Sequence, residues 1–230
     1  LNLAGAWTNR AHLQLAGSPA IARTSSHHAL SLLAHVETQT PAFAEMSLRA
    51  RRALIVAVGE LLHRGTDVSP VLHGQDAHAT RNPEPETRNS ESETQNQSTL
   101  AAEASDAIDD GLALARTWET RGVTTLRPLA LRLFRLGAQL YRVHQPHFLA
   151  EFLLDNLGNS APFAHQPEFL APAEHALQTT LAELTRPRHF IVGSPESEKL
   201  LATAGSLRAA QAELFPAPSV TSVPPLVPSV

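Results

Sequence analysis

Leucine recurs at Leu129, Leu133, Leu136 and Leu140. With each residue turning by about 100°, these four positions fall within about 60° of arc on a helix. That spacing specifies an amphipathic helix over 126–143. Nowhere does the chain sustain the period-two alternation of a half-buried strand, and Phe190-Ile191-Val192 is the only short run with strand character. Composition agrees. Hydrophobic residues make up 43% of the 230 positions and are mostly alanine and leucine, whereas aromatics are 5%. Alanine and leucine favour helices, and β-branched and aromatic residues favour strands.

Helix punctuation divides the rest. Ser25 or Ser26 can cap a helix whose apolar face is Ala29, Leu30, Leu32, Leu33 and Val36. Thr40-Pro41 is an N-cap followed by a proline at the first helical position, and it opens a helix to about Arg64, with Gly65 just beyond its end. Leu48, Leu54, Ile55, Val58, Leu61 and Leu62 share one broad face of that helix, with Arg49 and Arg52 opposite. Further helices are predicted over 100–121, closed by Gly122, over 147–157, closed by Gly158, and over 172–185. A last one opens at Ser194-Pro195 and runs to about Phe215.

Three segments stand apart. Residues 1–23 are interrupted by Gly5, Gly17 and Pro19 and read as an extended arm or a short helix. Residues 75–99 are rich in Asn, Ser, Thr, Glu and Gln, bury too little apolar area to offset their ordering entropy, and read as a disordered insertion. Residues 216–230 hold five prolines and read as an extended tail. The predicted organisation is an N-terminal arm (1–23), a first helical unit (24–74), the insertion (75–99), a main helical domain (100–215) and the Pro-rich tail (216–230). The predicted fold class is all-α: stacked antiparallel helix pairs, short and α-solenoid-like, with a disordered insertion and extended termini.

Charge and residue chemistry narrow the function. The formal charge is −4, so phosphate binding needs a local basic patch. Without cysteine there is no disulfide, thiol nucleophile or Cys-based zinc site. No apolar run approaches the roughly 18 residues of a membrane span. His27-His28, His144, His147, His165 and His175 are the metal candidates. His144 and His147 straddle Pro146 and do not share a helical face, so no metal site is predicted. There is no Gly-x-Ser-x-Gly elbow and no phosphate-cradling glycine loop. Asp106, Asp109 and Asp110 are expected near a helix start, where the macrodipole accounts for them. The prediction is a non-enzyme with no cofactor.

Arginine supplies nearly all the positive charge, since Lys199 is the only lysine. Arg132, Arg135 and Arg142 cluster within about 80° on the 126–143 helix, with Arg127 nearby. Arg49 and Arg52 occupy a comparable place on the earlier helix. These six residues form the candidate binding surface. It reads as a solvated polar face, a phosphate contact, or a seat for an acidic protein partner.

Ser47-Leu48-Arg49 aligns with Thr125-Leu126-Arg127, Gly59 with Gly137, Leu62 with Leu140 and Arg64 with Arg142, an offset of 78 residues. Two units of about 39 residues suit a helix-pair repeat. The stretch Leu133-Phe134-Arg135-Leu136-Gly137-Ala138-Gln139-Leu140-Tyr141, followed by Phe148-Leu149-Ala150-Glu151-Phe152-Leu153-Leu154, resembles the helix pairs of FAST-kinase-like and heptatricopeptide-type organellar proteins. That resemblance implies an α-solenoid working with organellar RNA or ribosomes. Gln145-Pro146-His147-Phe148-Leu149-Ala150-Glu151-Phe152-Leu153 also resembles a motif of TorD-like chaperones for molybdoenzymes, without that family's Asp before His.

The chain begins at Leu1, as a processed product or fragment would, and residues 1–36 contain no Asp or Glu. Low acid content with Arg10, Arg23 and Thr24-Ser25-Ser26 is the profile of, or just after, an organellar targeting region. The expectation is therefore an accessory, non-catalytic subunit in the mitochondrial matrix. Its partners would be protein subunits of a large complex and ribosomal RNA, with the mitochondrial ribosome first. The alternatives are a protein-only subunit of a respiratory complex or ATP synthase, and a TorD-like chaperone.

Overall fold

The computed structural model describes residues 1–36, 40–66, 87–164, 166–186 and 194–216. Among these, every regular element is helical: α1 (Asn2–Gln14), α2 (Pro19–Ala34), α3 (Pro41–Thr66), α4 (Thr87–Thr120), a 3-10 turn (Thr124–Leu126), α5 (Arg127–His144), α6 (Leu149–Leu157), α7 (Pro167–Leu184) and α8 (Pro195–Leu214).

Local chemistry sets the boundaries. α2, α3, α7 and α8 each begin on a proline, whose fixed φ suits the first helical position. Thr40 Oγ1 accepts the Phe43 N–H at 3.2 Å, and Ser194 Oγ accepts the Ser197 N–H at 3.1 Å. α4 ends where Gly122 takes φ 80°, the left-handed conformation that costs glycine least. There Val123 N–H reaches the Trp118 carbonyl and Gly122 N–H the Glu119 carbonyl, which satisfies carbonyls the helix end leaves open.

The structure differs from the sequence expectations at three places. Of the two readings of residues 1–23, the structure takes the short helix over the arm: they form α1 and the first turn of α2. The buried face of α1 is Ala4, Thr8 and Ala11, so the periodicity is carried by small residues that a search for large apolar side chains passes over. Thr8 Oγ1 donates to the Ala4 carbonyl at 2.9 Å, which lets a hydroxyl sit in that interface. The expected insertion also fails over 87–99, which forms the opening turns of α4. Extending an anchored helix gains about one hydrogen bond per residue fixed, so a polar stretch continues a helix that it would not nucleate. Positions 75–86 lie outside the described residues, as do Phe190-Ile191-Val192, His165 and the tail beyond Pro216. α7 begins five residues before the expected 172, with Pro172 absorbed in its interior.

The helices stack as antiparallel pairs in two rows. α1, α3, α5 and α7 form the first row, each packed on the next, and every helix also packs on its sequence neighbour. In the second row, α6 packs on α8. Arg23 and His27 of α2 reach Glu103 of α4, and Arg116 of α4 donates to the Asp155 carbonyl and the Asn156 side chain of α6. α3 and α5, the two aligned segments, run parallel in the same row. Gly111 of α4 is flanked by Leu48 of α3 and Leu133 of α5, while His63 and His144 meet near the other end.

The larger of two apolar clusters runs from Ala44 to Ala210, so the units 24–74 and 100–215 share it, and a smaller one joins Ala4, Leu33 and Phe43. The centre of the larger is aromatic. Phe134 stacks on Phe152 at 5.4 Å and meets Phe169 edge-on, and Phe163 stacks on Phe169 at 4.5 Å. α5 is buried on two sides: the Leu133 and Leu140 positions of the leucine stripe, and a second face of Ala130, Phe134, Gly137, Ala138 and Tyr141. No described helix is long and apolar enough to cross a membrane.

Candidate functional site

The structure separates the six candidate arginines. Arg49 pairs with Glu45 one turn away at 2.6 Å. Arg127 pairs with Glu119 at the end of α4, and Arg142 reaches Glu183 of α7 at 3.1 Å. These three are already neutralised within the chain. Arg52, Arg132 and Arg135 have no ion-pair partner among the described residues, and the last two are exposed. The sequence placed Arg132, Arg135 and Arg142 on one arc of α5. It could not see that Glu183 comes to Arg142 from another helix.

Arg52 and Arg132 do share a feature. On α3, Arg52, Val56, Gly59 and His63 form a stripe within about 60°. On α5, Arg132, Leu136, Gln139 and Val143 form the same pattern. The two stripes border a furrow of about 290 Å³ between the parallel helices, lined by Ile55, Val56, Gly59, Leu136, Leu140 and Val143. Glu60 is its only carboxylate among the described residues, and His63 and His144 sit at its far end. Burial, with the neighbouring His63 charge, holds the His144 imidazole below its ordinary value.

A larger groove of about 470 Å³ opens in the second row, between α4 and α6, with Tyr141 of α5 on its wall. Asp106, Asp109, Glu151 and Asp155 line it against the single cation Arg116. Asp106, Asp109 and Asp110 lie about two-thirds of the way along α4, which begins at Thr87. The macrodipole expected to account for them is therefore too distant to act. Tertiary partners account for two of the three: Arg51 of α3 pairs with Asp110 at 3.2 Å, and the Tyr141 hydroxyl donates to Asp109 at 3.1 Å.

Burial raises the Asp109 carboxyl above its ordinary value, with the charges of Asp106 and Asp155 adding to it and the Tyr141 hydrogen bond opposing. Burial and the Asp109 charge push Tyr141 up to about 12, so it is a hydrogen-bond donor at neutral pH and not a base. Ser105 Oγ contacts the Ala101 carbonyl at 3.0 Å and Gln145 at 3.2 Å. The sequence signal for the groove was the i, i+3 pair Asp106 and Asp109, which needed the length of α4 to be read correctly.

The histidines disperse. His27 contacts Glu103 at 2.6 Å, His28 packs on Trp7 and His147 on Phe148. Among the described residues, no three His, Asp or Glu side chains converge as metal ligands would.

Comparison with protein-family models, curated proteins and solved structures found no match to the chain.

Proposed function

We propose that the chain is a non-catalytic accessory subunit that holds protein partners within a large assembly. The observations that carry this reading are two of the openings that the described helices leave between them. Each row keeps a space between its central helices, one of mixed apolar and polar lining that Arg52 and Arg132 extend by a turn, the other carrying four carboxylates. Stacked helix pairs present such inter-helix surfaces to other chains. The organellar setting rests on the acid-free first 36 residues.

A ribonucleoprotein keeps support from Arg52, Arg132 and Arg135, which have no carboxylate partner among the described residues. It loses support from Arg49, Arg127 and Arg142, whose charge is already met by glutamates. Sedimentation of the tagged protein from native extract, with and without RNase, separates the readings. Migration with a large particle that ignores RNase supports the protein-only subunit. Collapse of the particle on RNase treatment moves the assignment to a ribonucleoprotein, such as an organellar ribosome. Recovery as a small free species refutes both and favours a chaperone.

A further inference from the structure

Glycine is among the least favourable residues inside a helix, so a mid-helix glycine calls for a reason. For Gly137 the reason is internal. A Cβ there would lie 2.6 Å from Phe152 Cζ and 2.9 Å from Ile108 Cγ2, so α4, α5 and α6 close together only over a glycine. Gly59 is its counterpart in the aligned segment, 78 residues earlier. A Cβ at Gly59 would meet nothing within 4 Å. Gly59 lines the furrow between α3 and α5, on the stripe that begins with Arg52. The bare backbone thus lies on the floor of an apolar trough, where something from outside the fold can approach as Phe152 approaches Gly137.

The chemistry of the trough selects its occupant. Val56, Leu136 and Val143 line it over the buried Ile55 and Leu140, Val143 being 51% exposed, and Glu60, Gln139, His63 and His144 are its polar members. Arg52 and Arg132 stand level at one end, because α3 and α5 run parallel, and no carboxylate among the described residues neutralises either. The stretch from Ile55 to His63 spans about 12 Å, or a little over two turns of a docked helix. We infer that the furrow between α3 and α5 is a docking site for an acidic amphipathic helix of a partner protein, apolar face down over Gly59 and carboxylates against Arg52 and Arg132. This rests on the accessory-subunit reading and names the partner's chemistry. Such helix-in-groove recognition draws affinity from the apolar anchors and orientation from the charges.

The purified full chain is tested against a displayed library of amphipathic helices with fixed leucine anchors and variable charge on the other positions. Parallel selections use Gly59→Leu, which fills the trough, and Gly205→Leu on α8, whose Cβ likewise meets nothing within 4 Å and which lies away from the furrow. The expected result is enrichment of Asp- and Glu-rich helices on the parent chain and on Gly205→Leu. Their affinity falls at least tenfold on Gly59→Leu and on the double variant Arg52→Glu with Arg132→Glu, and the double variant enriches Lys- and Arg-rich helices instead. Circular dichroism checks that each variant keeps its helix content, and the charge-reversal pair serves as the second route if Gly59→Leu loses it. Recovery of the same peptides on Gly59→Leu, enrichment without acidic bias, or no enrichment over the filled variant overturns the proposal. So does saturable binding of a single-stranded RNA oligonucleotide that Arg52→Glu with Arg132→Glu abolishes and an excess of acidic helix does not displace. Sedimentation with a large particle is scored separately, so the furrow proposal can fail while the accessory-subunit reading stands.

Discussion

Gly59→Ala and Gly137→Ala are the same substitution in two aligned helices, and the structure predicts that they differ. In an exposed helix interior the change gains about 0.8–1 kcal/mol from propensity alone. At Gly59 nothing opposes that gain, because the added methyl meets no atom within 4 Å. In a chain of this size, about 1 kcal/mol corresponds to roughly 2–4 °C, so Gly59→Ala raises Tm by about that amount. At Gly137 the methyl would sit 2.6 Å from Phe152 Cζ and 2.9 Å from Ile108 Cγ2, closer than real Cβ atoms approach their neighbours. Phe152 is itself stacked on Phe134 and packed at a tilt on Tyr141, so it cannot swing aside without disturbing two ring contacts. Overpacking of this kind costs about 1–3 kcal/mol. The propensity gain is common to both sites and cancels in the difference, leaving Gly59→Ala more stable than Gly137→Ala by about 1–3 kcal/mol. Urea unfolding followed by circular dichroism measures the difference directly, provided both variants unfold with the same m-value. Equal stabilities, or Gly137→Ala the more stable of the two, would refute the close crossing of α4, α5 and α6.

Further outcomes follow from the packing and the charges. Phe134→Ala opens a cavity beneath Phe152 and Phe169 and costs about 3–5 kcal/mol, read from the urea midpoint. Glu103 is held below its ordinary value of 4.5: burial alone would raise it, but the hydrogen bonds and charges of Arg23 and His27 outweigh that. Its contribution is present above pH 4.5 and lost as pH falls through its folded value, so Glu103→Gln destabilises at neutral pH and flattens the acid limb of the stability profile. His144 titrates below its ordinary 6.5 because burial disfavours its charged form, with His63 adding to the effect. Its contribution is full above pH 6.5 and is lost as pH falls from there through the folded value. His144→Gln removes that slope, and a profile identical to the parent's between neutral pH and pH 5 would count against the shift.

Large apolar residues at helical spacing were legible in the sequence; partners across helices were not. The stripe of Leu133 and Leu140, the caps at Thr40 and Ser194 and the stop at Gly122 are local signals, and each appears where the residues place it. α1 read equally as an arm or a short helix because its buried face is Ala4, Thr8 and Ala11, residues too small to mark a stripe. The start of α4 escaped because a helix can propagate through a segment whose composition alone argues for disorder. The candidate arginines divided for another reason. Whether an arginine is free depends on what a neighbouring helix brings to it, and Glu119 and Glu183 lie 8 and 41 residues away from Arg127 and Arg142. The second face of α5, with Phe134 and Tyr141, was hidden behind the stronger leucine pattern.

A net charge of −4 conceals an uneven distribution. The second-row groove carries Asp106, Asp109, Glu151 and Asp155 against Arg116 alone, whereas the first-row furrow is bordered by Arg52 and Arg132 against Glu60. The Debye length is about 8 Å at physiological salt, so exposed charges farther apart than that are largely screened from each other. A binding partner therefore meets a local field rather than the average of the chain. A carboxylate-bearing partner is drawn to the first row and repelled by the second, and a basic segment meets the reverse. The stack thus gives the two surfaces opposite preferences, which orients whatever it holds before any apolar contact is made. Raising the salt shrinks that discrimination while leaving burial of Val56, Leu136 and Val143 intact. The association rate of an acidic helix with the furrow should then fall steeply with ionic strength and its dissociation rate change little, and equal sensitivity of both rates would mean that the charges contribute to the bound state and not to steering.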